Sequence, residues 1–229
     1  MKRGLVLRAA LTGVTAILGG SLLQAPSARA DIVQDLTVGN DVLSGFPTPF
    51  GTVTVHFIDS NDASVTFQAN LIGTTQYSFV DGGAAALNTN GAVTASGFTF
   101  TKLFATGTPS FSQSGAGNED GFGSFNTRVS NNGAFGDAVT TLSFNIHLVS
   151  GSWANEAAIL VGNSQNLTVA AHIAVCGQDI ANACVSGNEN IITGFSTTPG
   201  PALGAGLPGV IAACCGLLGL ARRRRQRIA

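Results

Sequence analysis

The sequence predicts an all-β fold, an antiparallel β-sandwich, and three observations predict it. Apolar and polar residues alternate with a period of two along several segments, as in Val53, Val55 and Phe57 against Thr52, Thr54 and His56. Turn signals separate those segments, among them Asp81-Gly82-Gly83, Asn90-Gly91, Asp120-Gly121 and Asn132-Gly133, where Gly or Asn accepts positive φ. The stretch is also rich in Gly, Ser, Thr, Asn, Val and Phe, and holds almost no Lys, Arg or Glu to clothe the outer face of long helices.

Taken along the chain, the first strand is expected over Thr52 to Ile58 and the next around Val65, Phe67 and Ala69, which repeat the alternation. Strands follow at Gln76 to Val80, Val93 to Leu103 and Phe122 to Val129. The clearest is Val139 to Val149, where Leu142, Phe144, Ile146 and Leu148 share one face and Ser143, Asn145 and His147 the other. A last strand is expected at Thr168 to Val175, and one short Ala-rich helix at Ala154 to Val161. Short strands punctuated in this way suggest a sandwich.

Both ends of the chain read as sorting segments. Residues 1–30 have a basic start (Lys2, Arg3, Arg8), an apolar centre from Ala9 to Leu23, and Ala28 and Ala30 flanking Arg29. That is the layout of a secretory signal peptide, with cleavage expected between Ala30 and Asp31. At the other end, Pro199-Gly200-Pro201 precedes an apolar run from Ala202 to Ala221 and then Arg222, Arg223, Arg224, Arg225 and Arg227. About 20 apolar residues suffice to cross a bilayer as a helix, and the arginines hold that end in the cytoplasm. Three segments result: signal peptide 1–30, a β-rich ectodomain 31–198, and the tail 199–229.

The tail resembles a PEP-CTERM sorting domain through Pro199-Gly200-Pro201, Gly204-Ala205-Gly206-Leu207-Pro208-Gly209, Gly216-Leu217-Leu218 and the arginine run. The resemblance covers about an eighth of the chain. It implies recognition by exosortase, a membrane cysteine transpeptidase of bacteria that make extracellular polysaccharide, so that the chain is a substrate. The family's central Glu is replaced here by Gly200. More loosely, Asp120-Gly121-Phe122-Gly123-Ser124-Phe125, Gly151-Ser152-Trp153-Ala154 and Ala170-Ala171-His172-Ile173 resemble the β-rich ectodomains of such proteins, a resemblance that implies no activity.

Removing both segments changes the electrostatics. Four of the eleven basic residues lie before Asp31 and five after Thr198, so the body keeps Lys102 and Arg128 against twelve carboxylates, a net charge of −10. Such a surface repels phosphate backbones and anionic lipid, which excludes nucleic acid as a partner. The body's roughly 168 residues suffice for one well-buried domain.

The residues that carry chemistry elsewhere are sparse. Cys176 and Cys184 enclose a short loop, and in an oxidising compartment a disulfide is expected, with two free thiols as the alternative. Cys214 and Cys215 fall within the apolar run and read as small apolar residues. His56, His147 and His172 lie far apart, without the paired spacing of a zinc site. Asp59-Ser60-Asn61-Asp62 starts like a calcium loop but carries Ser64 and Asn70 where Gly and Glu are required. Asn118, Glu119 and Asp120 could supply oxygen ligands to calcium from a turn; an acidic turn is the plainer reading. A sugar platform would draw on Trp153 and Tyr77, one of each being present. The acceptor pattern Asn166-Leu167-Thr168 is background in so Asn- and Thr-rich a chain.

These readings converge on an exported protein without catalysis or cofactor of its own. Signal peptidase and exosortase process it, the inner membrane holds its precursor, and its destination is the cell surface or an exopolysaccharide or biofilm matrix. The competing expectation is an exported carbohydrate-binding or hydrolytic β-sandwich using the same tail.

Overall fold

The structure is a computed structural model that describes residues 30–105, 107–133, 135–176 and 192–199. Fifteen strands occur among the described residues. They are β1 (Ile32–Leu36), β2 (Val38–Gly39), β3 (Gly51–Phe57), β4 (Asp62–Ala69), β5 (Leu71–Ile72), β6 (Thr75–Phe79), β7 (Ala85–Leu87) and β8 (Val93–Lys102). The rest are β9 (Phe111–Gln113), β10 (Gly117–Glu119), β11 (Gly123–Phe125), β12 (Thr127–Asn131), β13 (Val139–Leu148), β14 (Leu167–Cys176) and β15 (Ile192–Pro199). Every paired strand runs antiparallel. The all-β, antiparallel expectation therefore holds for the described residues.

Thirteen of the strands form one hydrogen-bonded sheet with two limbs whose side chains share one core. In the first limb, β13 lies between β4 and β8 along nearly its whole length, and β3 and β1 continue outward from β4. In the second, β14 pairs with β15 on one edge and with β6 and β7 on the other, and β12 and β9 continue from β7. A single pairing, Val139 opposite Phe79, joins the limbs through β13 and β6.

The period-two alternation decides which side chains meet between the limbs. Val53, Val55 and Phe57 from β3, Val65 and Phe67 from β4, and Leu142, Phe144, Ile146 and Leu148 from β13 are buried in one core cluster. From the second limb come Tyr77, Phe79, Val169, Ala171, Ile173 and Val175. Phe67 sits at the seam, edge-on to Phe79 at 5.8 Å and stacked with Phe144 at 6.3 Å. Aromatic pairs of this geometry add about 1 kcal/mol each to the area they bury.

β14 is buried on both faces. Ala170 lies on the face opposite the main core, in a smaller cluster with Ala86, Phe122 and Phe125. The β10–β11 hairpin supplies that cover, and the Asp120-Gly121 signal forms its tip, with Gly121 at φ +82°. The strand expected over Phe122 to Val129 is accordingly two: β11 pairs only with β10, whereas β12 joins the main sheet.

The helix expected over Ala154 to Val161 is corrected to a single 3₁₀ turn, Glu156–Ala158. Eight residues cannot repay helix nucleation on their own. Trp153, Ile159 and Leu160 are instead drawn separately into the core, and Leu160 bridges Thr89.

Candidate functional site

Among the described residues, charged groups are brought together away from the surface at Glu119 and Arg128. Glu119 ends β10 with its side chain turned inward and fully buried, and Arg128 on β12 donates Nε–H to Glu119 Oε1. Burial pushes the Glu119 carboxyl up to about 7, against the hydrogen bond and charge of Arg128, which pull it down. Its second oxygen, Oε2, has no hydrogen-bond partner among the described residues. Gly83 makes the seat: at φ +75°, any Cβ there would collide with the Glu119 carboxylate.

His172 stands on the same side of β14. Its ring stacks on Phe195 at 4.5 Å, its backbone N–H donates to Gly83 O at 2.9 Å, and its Nδ1 is buried without a hydrogen-bond partner among the described residues. Burial lowers its pKa, opposed by the charge of Asp81 and a hydrogen bond with the Gly82 backbone. The Asp81-Gly82-Gly83 turn, with Asp81 itself at φ +52°, thus lies between a buried carboxyl and a half-buried imidazole. In chemical terms this cluster is a pin. Glu119 and Arg128 fasten the β10–β11 hairpin to β12, helped by Asn40 Nδ2 donating to Asp120 O and Asn163 Nδ2 to Phe122 O, both 2.9 Å.

The calcium expectation at Asn118, Glu119 and Asp120 meets a different geometry. Asn118 and Glu119 are ladder residues of a hairpin, opposite Ser124 and Gly123, and the Glu119 carboxylate faces Arg128. A guanidinium already occupies the position a cation would take. Among the described residues, no three His, Cys, Asp or Glu side chains converge as metal ligands.

The sugar-platform expectation at Trp153 and Tyr77 is corrected by burial. Trp153 is 2% exposed, with its indole N–H on Asn90 O at 3.0 Å, and Tyr77 is fully buried, with its hydroxyl on Pro47 O at 2.6 Å. Phe50 packs edge-on to Tyr77 at 5.2 Å. Both polar handles are satisfied inside the fold, so neither ring presents a face to a sugar.

His56 and His147 lie on polar strand faces, as their alternation predicts. Each Nδ1 pairs with a carboxylate, His56 with Asp31 at 2.6 Å and His147 with Asp62 at 2.8 Å. Both rings are more than half exposed, where such pairs are worth at most about 1 kcal/mol. Asp59 accepts from the backbone N–H groups of Asn61 and Asp62, making the first acidic loop a turn that caps itself.

The two ends of the body meet beside a groove. β1 starts at Ile32, one residue after Asp31, and β15 ends at Pro199, opposite Leu167. Gln34 on β1 accepts at its side-chain oxygen from Thr168 at 2.8 Å and from Thr198 at 3.2 Å, which holds the two termini together. A groove of about 570 Å³ opens there, lined by Ile32, Val33, Asp35, Leu160 and Thr198 among others. Sequence reasoning missed this recess, because β1 and β15 carry too few alternating positions to announce themselves.

Of the sequence-predicted sites, Ala30, Asp31 and the backbone of Pro199 fall within the described residues. Cys176 is buried at the end of β14. Ala28, Cys184, Gly200, Pro201, Arg222 to Arg225 and Arg227 lie outside the described residues, as does the apolar run from Ala202 to Ala221. No helix among the described residues is long and apolar enough to cross a membrane. No family model, no curated protein and no solved structure matches this chain.

Proposed function

We propose that the chain is an exported protein of the cell surface or extracellular matrix, sorted by its tail as an exosortase substrate and without catalysis of its own. The observation that carries this reading is the fit between body and signals. The first strand begins next to the expected cleavage site at Ala30 and Asp31, and the last ends at the first proline of the expected sorting motif. Almost the whole span between the two signals is spent on one β-rich body. Gln34 draws its ends to one side, so a precursor held by a signal peptide and a C-terminal helix would meet the membrane with a single end of the fold.

Burial of Trp153 and Tyr77 favours this matrix reading over a sugar-binding module, and the −10 charge of the body favours uncharged or cationic partners such as a neutral exopolysaccharide. Substituting Ala30 by Phe should leave unprocessed precursor in the membrane fraction, because the peptidase pockets accept small side chains. Exported Ala30→Phe protein with a normal Asp31 terminus would refute the front half of the proposal.

The proposed Cys176–Cys184 bridge belongs to the same compartment argument. Closing a loop of this length stabilises by about 2 to 3 kcal/mol in the chain-entropy model. Non-reducing digestion of exported protein should yield the two cysteine peptides linked. Alkylation of both thiols without reduction would reject the bridge.

A further inference from the structure

The β10–β11 hairpin is fastened to the rest of the body by side chains alone. Its strands pair only with each other, and a further backbone bond, Phe122 N–H to Glu119 O at 2.8 Å, closes its own turn. No backbone–backbone hydrogen bond among the described residues ties residues 117–125 to another strand. What holds the hairpin is Arg128 on Glu119, Asn40 on Asp120 O, Asn163 on Phe122 O, and the seating of Phe122 and Phe125 against Ala86 and Ala170.

The two ends of the hairpin differ. Ser114, Gly115 and Ala116 before it are exposed, and Gly115 takes φ +74° with open space around it. After it, Asn126 is anchored, its Oδ1 accepting from the Thr89 N–H at 2.9 Å and the Thr89 hydroxyl at 3.0 Å. A hairpin of three residue pairs is marginal in water without a surface to pack on, so its order depends on staying docked.

Docking also puts Glu119 where its charge is least tolerated. The side chain is fully buried, and Oε2 finds no hydrogen-bond partner among the described residues. An unpartnered buried oxygen costs far more ionised than neutral. The titratable and charged groups around it are Arg128 on β12, Asp81 in the turn next to its Gly83 seat, His172 on β14 and Asp120 at the hairpin tip. Arg128 favours the ionised carboxyl, the two aspartates as like charges give no relief, and His172, lowered by burial, is neutral near pH 7. Raised to about 7 when docked and ordinary at 4.5 when released, Glu119 holds the hairpin fully below pH 4.5 and loses that hold as pH rises through 7.

We propose that the β10–β11 hairpin is a proton-latched strap: with Glu119 protonated it lies shut over β7 and β14, and with Glu119 ionised it lifts about Gly115 while the main sheet stays folded. Lifting bares Ala86 and Ala170 together with the strap's own Phe122 and Phe125, so a local apolar strip appears above neutral pH.

The test is native-state hydrogen exchange of the full-length chain in detergent, wild type against Glu119→Gln, read on the hairpin and on β13 at pH 5 and pH 8 and corrected for the intrinsic exchange rate. Opening of the hairpin should rise by at least about tenfold from pH 5 to pH 8 in the wild type and stay level in Glu119→Gln. Its exchange should respond weakly to low urea, as a small local opening does, whereas that of β13 responds steeply. A hairpin that shares the protection and urea dependence of β13 leaves only when the whole body unfolds, which overturns the strap. A wild-type hairpin equally protected at both pH values, or a rise that persists in Glu119→Gln, overturns Glu119 as the latch.

Discussion

Replacing Glu119 by Ala is expected to destabilise the body by about 3 kcal/mol, because it strands a mostly buried Arg128 without its carboxylate. For a body of this size that corresponds to a fall in Tm of about 10 °C. The same carboxyl sets a pH dependence of definite sign. Its pKa is raised in the fold to about 7, from the ordinary carboxylate value of 4.5. Glu119 therefore contributes fully below pH 4.5, and its contribution is lost as pH rises through 7. That raised value already includes the pull of Arg128, and residual solvent screening tempers the loss to the order of 2 kcal/mol. Glu119→Gln should flatten this descent, since glutamine cannot ionise, while leaving an acceptor for Arg128. Urea titrations of both proteins at pH 5 and pH 8 measure the difference directly. An identical pH slope in wild type and Glu119→Gln would show that Glu119 is ionised throughout. His172 works in the opposite direction: its pKa is lowered by burial, so its contribution is present above pH 6.5 and lost as pH falls. The comparison between variants removes that term.

Trp153→Ala should cost about 4 kcal/mol, among the largest single losses available in this fold. The indole is 2% exposed, donates to Asn90 O, and its backbone N–H anchors the 150s loop on Ser60 O at 2.7 Å. Truncation leaves a cavity and an unsatisfied carbonyl together. A chemical denaturation midpoint checks this, provided the slope is unchanged. A sugar-platform tryptophan would behave in the opposite way, with stability nearly untouched and glycan binding abolished.

Alternation made much of this fold legible. Val53 to Phe57, Val65 to Phe67 and Leu142 to Leu148 point the same way in the structure as in the sequence, because a half-buried strand forces a period of two. What escaped had no such period. β7 reads Ala-Ala-Leu and is buried on every residue, so it gives no contrast between faces. β15 reads Ile-Thr-Gly-Phe-Ser-Thr-Thr-Pro, whose Gly and Pro argue against a strand until β14 supplies its partner. Composition also misled at Glu119 and Trp153. An acid in a Gly-rich turn reads as solvated and a lone Trp as a platform, yet partners on other segments, Arg128 of β12 for one and Asn90 for the other, hold both inside the fold. The ion pair had one faint signal: Arg128 and Lys102 are the body's two basic residues, and both fall within segments expected to be strands.

The central claim is that this β-rich body is delivered by removal of both flanking segments, and the intact mass of the protein recovered from outside the cell tests it most directly. The account predicts a chain that begins at Asp31 and ends at or close to Pro199-Gly200-Pro201, lacking Ala202 to Ala229, with any attached group read as the residual mass. Extracellular or surface protein that still carries Ala202 to Ala229 would contradict it and leave a plain C-terminal membrane anchor in place of a sorting signal.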